Sequence, residues 1–292
     1  MTTVVVIPNW NGLVLLERNL PAVMKLKADE IIVVDDCSSD ESVAFLEKNY
    51  PQVILIKNEK NLGFSRSVNK GVLAASSDIV FLLNSDVIPS LGIVKPVLAH
   101  FKKPDVFGVS FAEVGYSWAK PKLTHGYLGH ESGEKTNKAH DTFWVSGGSG
   151  AFRRSMWLEL GGMDTLFTPF YWEDVDLSLR ALKKGWKLIW EPKAIVEHKH
   201  ESTINTTYFS RRYLHYIKER NELLFNWKYL DKKYLFRQHF PGIIWRLKHP
   251  GYLIVLLLAL SKLPFVLRQR VLVRQESFLS IKDVLLKFGV KC

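Results

Sequence analysis

Four short stretches of this sequence carry residue types that can do chemistry. In Val33-Val34-Asp35-Asp36-Cys37-Ser38-Ser39-Asp40, acids follow an apolar run. A carboxylate at a strand's end can accept hydrogen bonds from a base N–H or a ribose hydroxyl, while Ser38, Ser39 or Asp40 can cap the next helix. Asn84-Ser85-Asp86 offers the oxygen ligands a hard divalent cation takes, and Mg²⁺ or Mn²⁺ there would neutralise a departing diphosphate; the same triplet is also common in turns. Tyr171-Trp172-Glu173-Asp174-Val175-Asp176 opens a helix, because Val175, Leu179 and Leu182 recur at helical spacing. Its acids suit the helix macrodipole, and Asp176 with Arg180 forms an i,i+4 pair. The same acids can supply a general base for a hydroxyl proton, with Tyr171 and Trp172 as a sugar-stacking wall. Finally, His198-Lys199-His200-Glu201-Ser202 follows a strand at Lys187–Trp190 and a turn at Pro192. Its histidine could add a nitrogen ligand to a metal at Asp86, although a lone His is more often structural or solvated.

The elements that must position these residues alternate along the chain. Val4–Ile7, Ile31–Val34, Val53–Ile56 and Ile79–Leu83 are apolar runs, separated by amphipathic segments near 13–27, 40–49 and 64–75. Unbroken apolar strands between helices predict an α/β architecture, a mostly parallel central sheet with helices on both faces. Asn9 and Asn11 then follow the first strand, Asp35 and Asp36 the second, and Asn84 and Asp86 the fourth. Polar groups collected at one carboxyl edge mark the crevice where open α/β sheets bind ligands. Residues 105–145 give no clear pattern and read as a loop or meander near the site. His125, His130 and His140 within it fit no helix face and read as surface histidines. Beyond His198 the pattern is helical, so the expected division is 1–205 for the sheet domain and 206–292 for a basic, amphipathic helical region.

Charge separates the same two parts. The chain of 292 residues carries a net +11, and residues 199–292 hold 18 Lys/Arg against 6 Asp/Glu. A basic region on a near-neutral body points to an anionic partner, a membrane surface or a nucleic acid, or else to a solvated basic face. The apolar stretch from Gly251 to Leu267 is interrupted at Ser261-Lys262 and flanked by Arg246, Lys248, Arg268 and Arg270. Its uninterrupted part is too short to span a bilayer and predicts an interfacial helix. Two cysteines, Cys37 and Cys292, predict a reducing compartment, and the N-terminus lacks the pattern of a signal peptide.

Taken in order, the motifs resemble glycosyltransferase family 2. The succession is Pro8-Asn9-Trp10-Asn11, Val34 to Asp40, Asn61-Leu62-Gly63 with Asn69-Lys70-Gly71, and Leu83-Asn84-Ser85-Asp86. Gly161-Gly162-Met163-Asp164, Glu173-Asp174-Val175-Asp176-Leu177 and Arg180 complete it, and the set is similar to the rhamnosyltransferase-like subgroup of bacterial cell-surface polysaccharide synthesis. The resemblance spans about residues 3–225. It implies a GT-A fold, an inverting mechanism, a nucleotide-diphosphate sugar donor linked to dTDP or UDP, and a glycan or lipid-linked acceptor. It also implies residue roles. Asp36 would contact the base, with Pro8 and Asn11 lining that pocket; Asn61, Gly63, Asn84 and Ser85 would shape the nucleotide site. Asp86 would bind the metal with His198, or with His200 in its place. Asp174 would be the catalytic base, supported by Glu173, and Arg220-Asn221 matches the family's following helix. Asn84 stands where the metal motif often has Asp, which removes one charge. The expected location is cytoplasmic, against the inner face of the membrane.

Rival functions lack their signatures. A nucleotide-dependent oxidoreductase needs G-x-G-x-x-G after the first strand, where this chain has Pro8-Asn9-Trp10-Asn11-Gly12; Gly147-Gly148-Ser149-Gly150 comes late, and there is no Walker A motif. A nucleic-acid binder would carry an RNP or zinc pattern. A sugar-binding pseudoenzyme is countered by the intact Asp86 and Asp174.

Overall fold

The computed structural model describes residues 1–198 and 208–290. Its first half follows the alternation read from the sequence. The order is β1 (Thr3–Asn9), α1 (Leu13–Met24), β2 (Glu30–Asp35), α2 (Ser42–Asn49), β3 (Ile54–Lys57), α3 (Phe64–Ala74) and β4 (Ile79–Leu83). These strands pair in parallel in the order β3-β2-β1-β4. Because side chains alternate across a strand, Val4 and Val6 pack into one core layer and Val5 and Ile7 into the other. Burial on both faces is why these runs are continuously apolar.

Beyond β4 the sheet is mixed, a correction to the expectation of a mostly parallel one. After β5 (Val87–Pro89) and α4 (Val94–His100), β6 (Val106–Glu113) extends the sheet. A hairpin of β7 (Ala119–Thr124) and β8 (Tyr127–Ser132) stands apart from it. The two-residue β9 (His140–Asp141) and β10 (Ser149–Arg153) follow, so the segment 106–141 is largely strand rather than loop. β10 runs antiparallel to both β4 and β6, because the chain re-enters the sheet at its carboxyl edge without a crossover helix. After α5 (Arg154–Glu159) and α6 (Glu173–Lys183), β11 (Lys187–His198) returns parallel to β6, with β5 and β9 antiparallel on it. The expected strand is longer than predicted: Pro192 lies at a register shift within it, where a missing N–H costs no ladder bond.

The C-terminal helices share a core with the sheet. They are α7 (Arg211–Tyr229), α8 (Lys232–Tyr234), a π-helical stretch Leu235–His239, α9 (Phe240–Arg246), α10 (Tyr252–Leu260), α11 (Leu263–Glu276) and α12 (Ile281–Lys287). Leu223, Val255, Val266 and Val284 join the same buried cluster as Val6 of β1 and Leu179 of α6. Among the described residues no single helix is long and apolar enough to cross a membrane; α10 and α11 meet at 63°. Arg270 does not flank that stretch in solvent. It is buried, and its Nη1 donates to the Trp227 carbonyl (2.6 Å).

Candidate active site

The ends of β1, β2, β4, β6 and β11 and the start of β10 meet at one edge of the sheet, around a cavity of about 920 Å³. Of the residues singled out from the sequence, Pro8, Asp36, Asn61, Gly63, Asn84, Ser85, Asp86, Tyr171, Trp172, Glu173, Asp174 and His198 all line it. Asn11 does not. Its backbone is left-handed (φ 48°), and its side-chain oxygen accepts from the Ser39 N–H (2.7 Å), so it braces the loop after β2. Asp40 anchors two helix starts, accepting from the N–H of Leu13 and of Ser42.

The Asp36 carboxylate accepts from the N–H of Leu62 and of Gly63 and from Asn58 Nδ2, each at 2.8 Å. The bonds hold the Asn61-Leu62-Gly63 turn against the β2 end. Gly63 must be glycine: its φ is +84°, and an added Cβ would sit 3.2 Å from the Pro169 carbonyl. Asp36 thus shapes the nucleotide-site turn as well as facing the cavity.

Asp86 and His198 line the cavity side by side. Asp86 Oδ1 is buried and receives no directed hydrogen bond; His198 Nε2 lies 3.2 Å from it. The other imidazole nitrogen, Nδ1, is 3.0 Å from Glu113 Oε1. Burial opposes a charged imidazole, but the two carboxylates outweigh it and raise the His198 pKa to about 9. A carboxylate behind a histidine is the usual support for a metal-binding imidazole. Among the described residues no three acids, histidines or cysteines cluster as a ready metal cage, so any cation here would draw further ligands from a substrate. The oxygen–nitrogen pair of Asp86 and His198 fits that partial site. His200, Glu201 and Ser202 lie outside the described residues.

Asp174 also lines the cavity, in the first turn of α6. Its Oδ2 accepts from the Gly147 N–H (2.9 Å) and its Oδ1 from the Val175 N–H (2.8 Å). Burial raises its pKa, against the pull of these donors and of the neighbouring Trp144. Glu173 is pushed well above its ordinary value, by burial first and then by the adjacent Asp174 charge. Its buried Oε2 has no hydrogen-bond partner among the described residues. Asp176 belongs to the core instead: Arg180 Nε (2.8 Å), Lys228 Nζ (2.6 Å) and the Tyr229 hydroxyl (2.7 Å) all reach it. Preceding the acids, Tyr171 and Trp172 both take left-handed backbone (φ 74° and 79°).

Four contributors escaped the sequence reading. Glu113 sat in the stretch without pattern. Gly147 and Gly148 drew notice only as an incomplete dinucleotide fingerprint, yet a Cβ on Gly148 would fall 2.5 Å from Asn84 Nδ2, and one on Gly147 3.0 Å from Asp174 Cβ. A paired glycine just before a strand is the signal that was available. His130 is no ordinary surface histidine: it lines the cavity, stacked on Trp144 with centroids 4.8 Å apart.

Comparison with known proteins fits this geometry. Over 208 residues the chain is 31% identical to a pre-mycofactocin glycosyltransferase of Mycobacterium tuberculosis (strain CDC 1551 / Oshkosh), covering 68% of this chain but 43% of that protein. The chain therefore spans less than half the length of that relative. It is 27% identical over 214 residues to an N-acetylglucosaminyl-diphospho-decaprenol L-rhamnosyltransferase of the same organism, covering 59% of this chain and 67% of the other. The crystal structure of GalNAc-T7 with UDP, GalNAc and Mn²⁺ superposes with a TM-score of 0.65 at 18% identity, over 80% of this chain and 48% of that one. The likeness shows a GT-A-like fold. Residues 4–161, more than half the chain, match the family described as glycosyl transferase family 2, and the chain belongs to that family.

Proposed function

We propose that this glycosyltransferase is inverting, with Asp174 as the base and a nucleotide-diphosphate sugar as the donor. The observation that carries this reading is the shared cavity: Asp36 and the Gly63 turn, the Asp86–His198 pair and Asp174 all line it. Those groups suit a nucleotide, its diphosphate and an acceptor hydroxyl. The donor is dTDP- or UDP-linked, and rhamnose is the first sugar to test, as the named activity of one relative suggests. The acceptor is a hydroxyl of a glycan or lipid-linked glycan in cell-surface polysaccharide synthesis.

The chemistry follows from the geometry. Asp86 and His198 would hold Mg²⁺ or Mn²⁺, which supplies positive charge to a leaving diphosphate when bound. Asp174 takes the acceptor proton as its oxygen attacks the anomeric carbon. The Gly147 N–H fixes Asp174 in place, and burial leaves it more basic than an ordinary aspartate. Burial pushes the pKa of Glu173 beside it well up, and in its protonated form that acid can donate a hydrogen bond. Tyr171 and Trp172 offer faces for a sugar ring.

We place the protein on the cytoplasmic face of an anionic membrane, through the exposed apolar side chains of α9, α10 and α11 and the basic residues among them. The first test is a thermal-shift screen of nucleotide sugars with and without Mn²⁺, on wild type and Asp86→Ala. Metal-dependent stabilisation by one donor, lost in the variant, is the expected result. Stabilisation that survives in Asp86→Ala would remove Asp86 as a metal ligand, and no stabilisation by any donor would count against the donor site.

A further inference from the structure

Asp164 and Asp176 stand at the two stems of the loop that carries the base. Asp164 caps the short helical turn Thr165–Phe167, its Oδ1 accepting from the Leu166 N–H (2.9 Å). Asp176 lies in the first turn of α6. Between them Pro169, Phe170, Tyr171, Trp172, Glu173 and Asp174 all line the cavity. One ammonium joins the stems. Lys228 of α7, 2% exposed, donates from Nζ to Asp164 Oδ2 (2.7 Å) and to Asp176 Oδ1 (2.6 Å). The loop is thereby closed across its neck by a side chain from a distant helix.

The surrounding groups complete the bridge and keep it charged. Arg180 Nε donates to Asp176 Oδ2 (2.8 Å), and its Nη1 and Nη2 reach the carbonyls of Leu160 and Gly162 (2.6 Å each). The Tyr229 hydroxyl donates to Asp176 Oδ1 (2.7 Å). Burial opposes an ionised Asp176, but Lys228 and then Arg180 outweigh it and hold its pKa below the ordinary value. A buried ion bridge is a poor device for stability alone, because well-packed apolar residues often serve as well. What it does provide is a fixed geometry, through charge-assisted hydrogen bonds at both ends. Successive residues of a helix are about 100° apart, so Asp174 and Asp176 leave the first turn of α6 on nearly opposite sides. The helix is gripped through Asp176 on its core side and presents Asp174 on its cavity side.

We propose that Lys228 is a positioning residue for sugar transfer: by bridging Asp164 and Asp176 it closes the neck of the loop and sets where the Asp174 carboxylate stands in the cavity. This rests on the reading of Asp174 as the base. A displacement of about 1 Å in a reacting group costs roughly 10²-fold in rate, so Lys228 can govern turnover without lining the cavity.

The test uses the full chain. Lys228→Met removes the ammonium but strands two buried carboxylates, so Lys228→Met/Asp164→Asn, with one buried charge fewer, is made beside it in case the single variant fails to fold. Hydrogen exchange is read first. The variants should exchange the amides of residues 165–175 at least about tenfold faster than wild type, with those of β1, β2 and β4 unchanged. Unchanged exchange in the loop overturns the proposal. Turnover is then measured in a double-mutant cycle with Asp174→Asn, as dTDP released from dTDP-rhamnose or as nucleotide released from the donor that the thermal-shift screen selects. Because Lys228 acts through Asp174, its substitution should cost at least about tenfold in the wild-type background and less than about twofold in Asp174→Asn. Equal losses in both backgrounds mean that Lys228 only supports the fold, and overturn the positioning role. The two failures are distinct: normal turnover by Asp174→Asn removes the base reading and this role with it, whereas a crippled Asp174→Asn beside an undiminished Lys228→Met condemns only the bridge.

Discussion

Asp174 carries the sharpest prediction at the scale of single residues. It combines fixed hydrogen bonds from backbone N–H groups with a raised pKa, at the start of the helix that faces the cavity. Asp174→Asn keeps the side-chain shape and can keep the Gly147 contact, so nucleotide binding should persist while turnover falls roughly 10²–10⁴-fold, the usual worth of a general base. The pH dependence has a definite sign. A raised pKa means that the base form is lost at a higher pH than for an ordinary aspartate. The acid limb of kcat/KM should therefore lie at a higher pH than an ordinary aspartate would give. Initial rates across pH, with donor binding measured in parallel, check both statements. A rate that stays flat until the protein unfolds in acid, or an Asn variant that turns over normally, would remove Asp174 from the role.

At the scale of elements, the site depends on a loop that no local preference would build. Tyr171 and Trp172 both have positive φ, which is costly for aromatic residues and persists only where the surroundings impose it. The imposing residue is Asn221 of α7. It is fully buried, and its Nδ2 faces the carbonyls of Phe167 (2.7 Å), Phe170 (2.9 Å) and Tyr171 (2.9 Å). Arg220 adds a bond to the Thr168 carbonyl (2.6 Å). One helix thereby fixes the segment that ends in Glu173 and Asp174. Asn221→Leu leaves those carbonyls buried and unpaired, at about 1–3 kcal/mol each. Urea unfolding should show a loss of at least about 2 kcal/mol, and the folded fraction should turn over slowly; an unchanged midpoint would mean the loop is held elsewhere. Such long-range support explains what the sequence could and could not tell. The four parallel strands, their helices and the acids at their ends were readable, because each is a local pattern of apolar runs and breaks. The 105–145 stretch was not: β7 and β8 carry lysines and a proline in a separate, partly exposed hairpin, so the period-two signal is broken. Glu113, His130 and Gly148 matter only through partners far along the chain, and no spacing in the sequence announces that.

For the whole molecule, the question is which way the site faces. Net charge is concentrated after residue 198, and the helices there expose Ile244 (66%), Leu253 (54%) and Leu257 (58%) beside lysines and arginines. A water-facing surface of a protein seldom leaves so many large apolar groups together unless something covers them. An anionic bilayer fits both the charge and the apolar side chains, since about 1 kcal/mol per basic residue adds to the burial of each hydrophobic group. Deleting the region would be a poor test. Val255, Val266 and Val284 belong to the core that also packs on the sheet, so a truncated chain would lose its fold along with its surface. Point substitutions avoid this difficulty. Ile244→Asp and Leu257→Asp alter exposed positions only, and each should weaken binding to phosphatidylglycerol vesicles about tenfold, because one such side chain is worth roughly 1.5–3 kcal/mol on burial. Raising the salt should release wild type, through screening of the basic residues. Neutral phosphatidylcholine vesicles should bind it poorly at any salt. If the two variants float with anionic vesicles as well as wild type does, the helices face something other than a membrane.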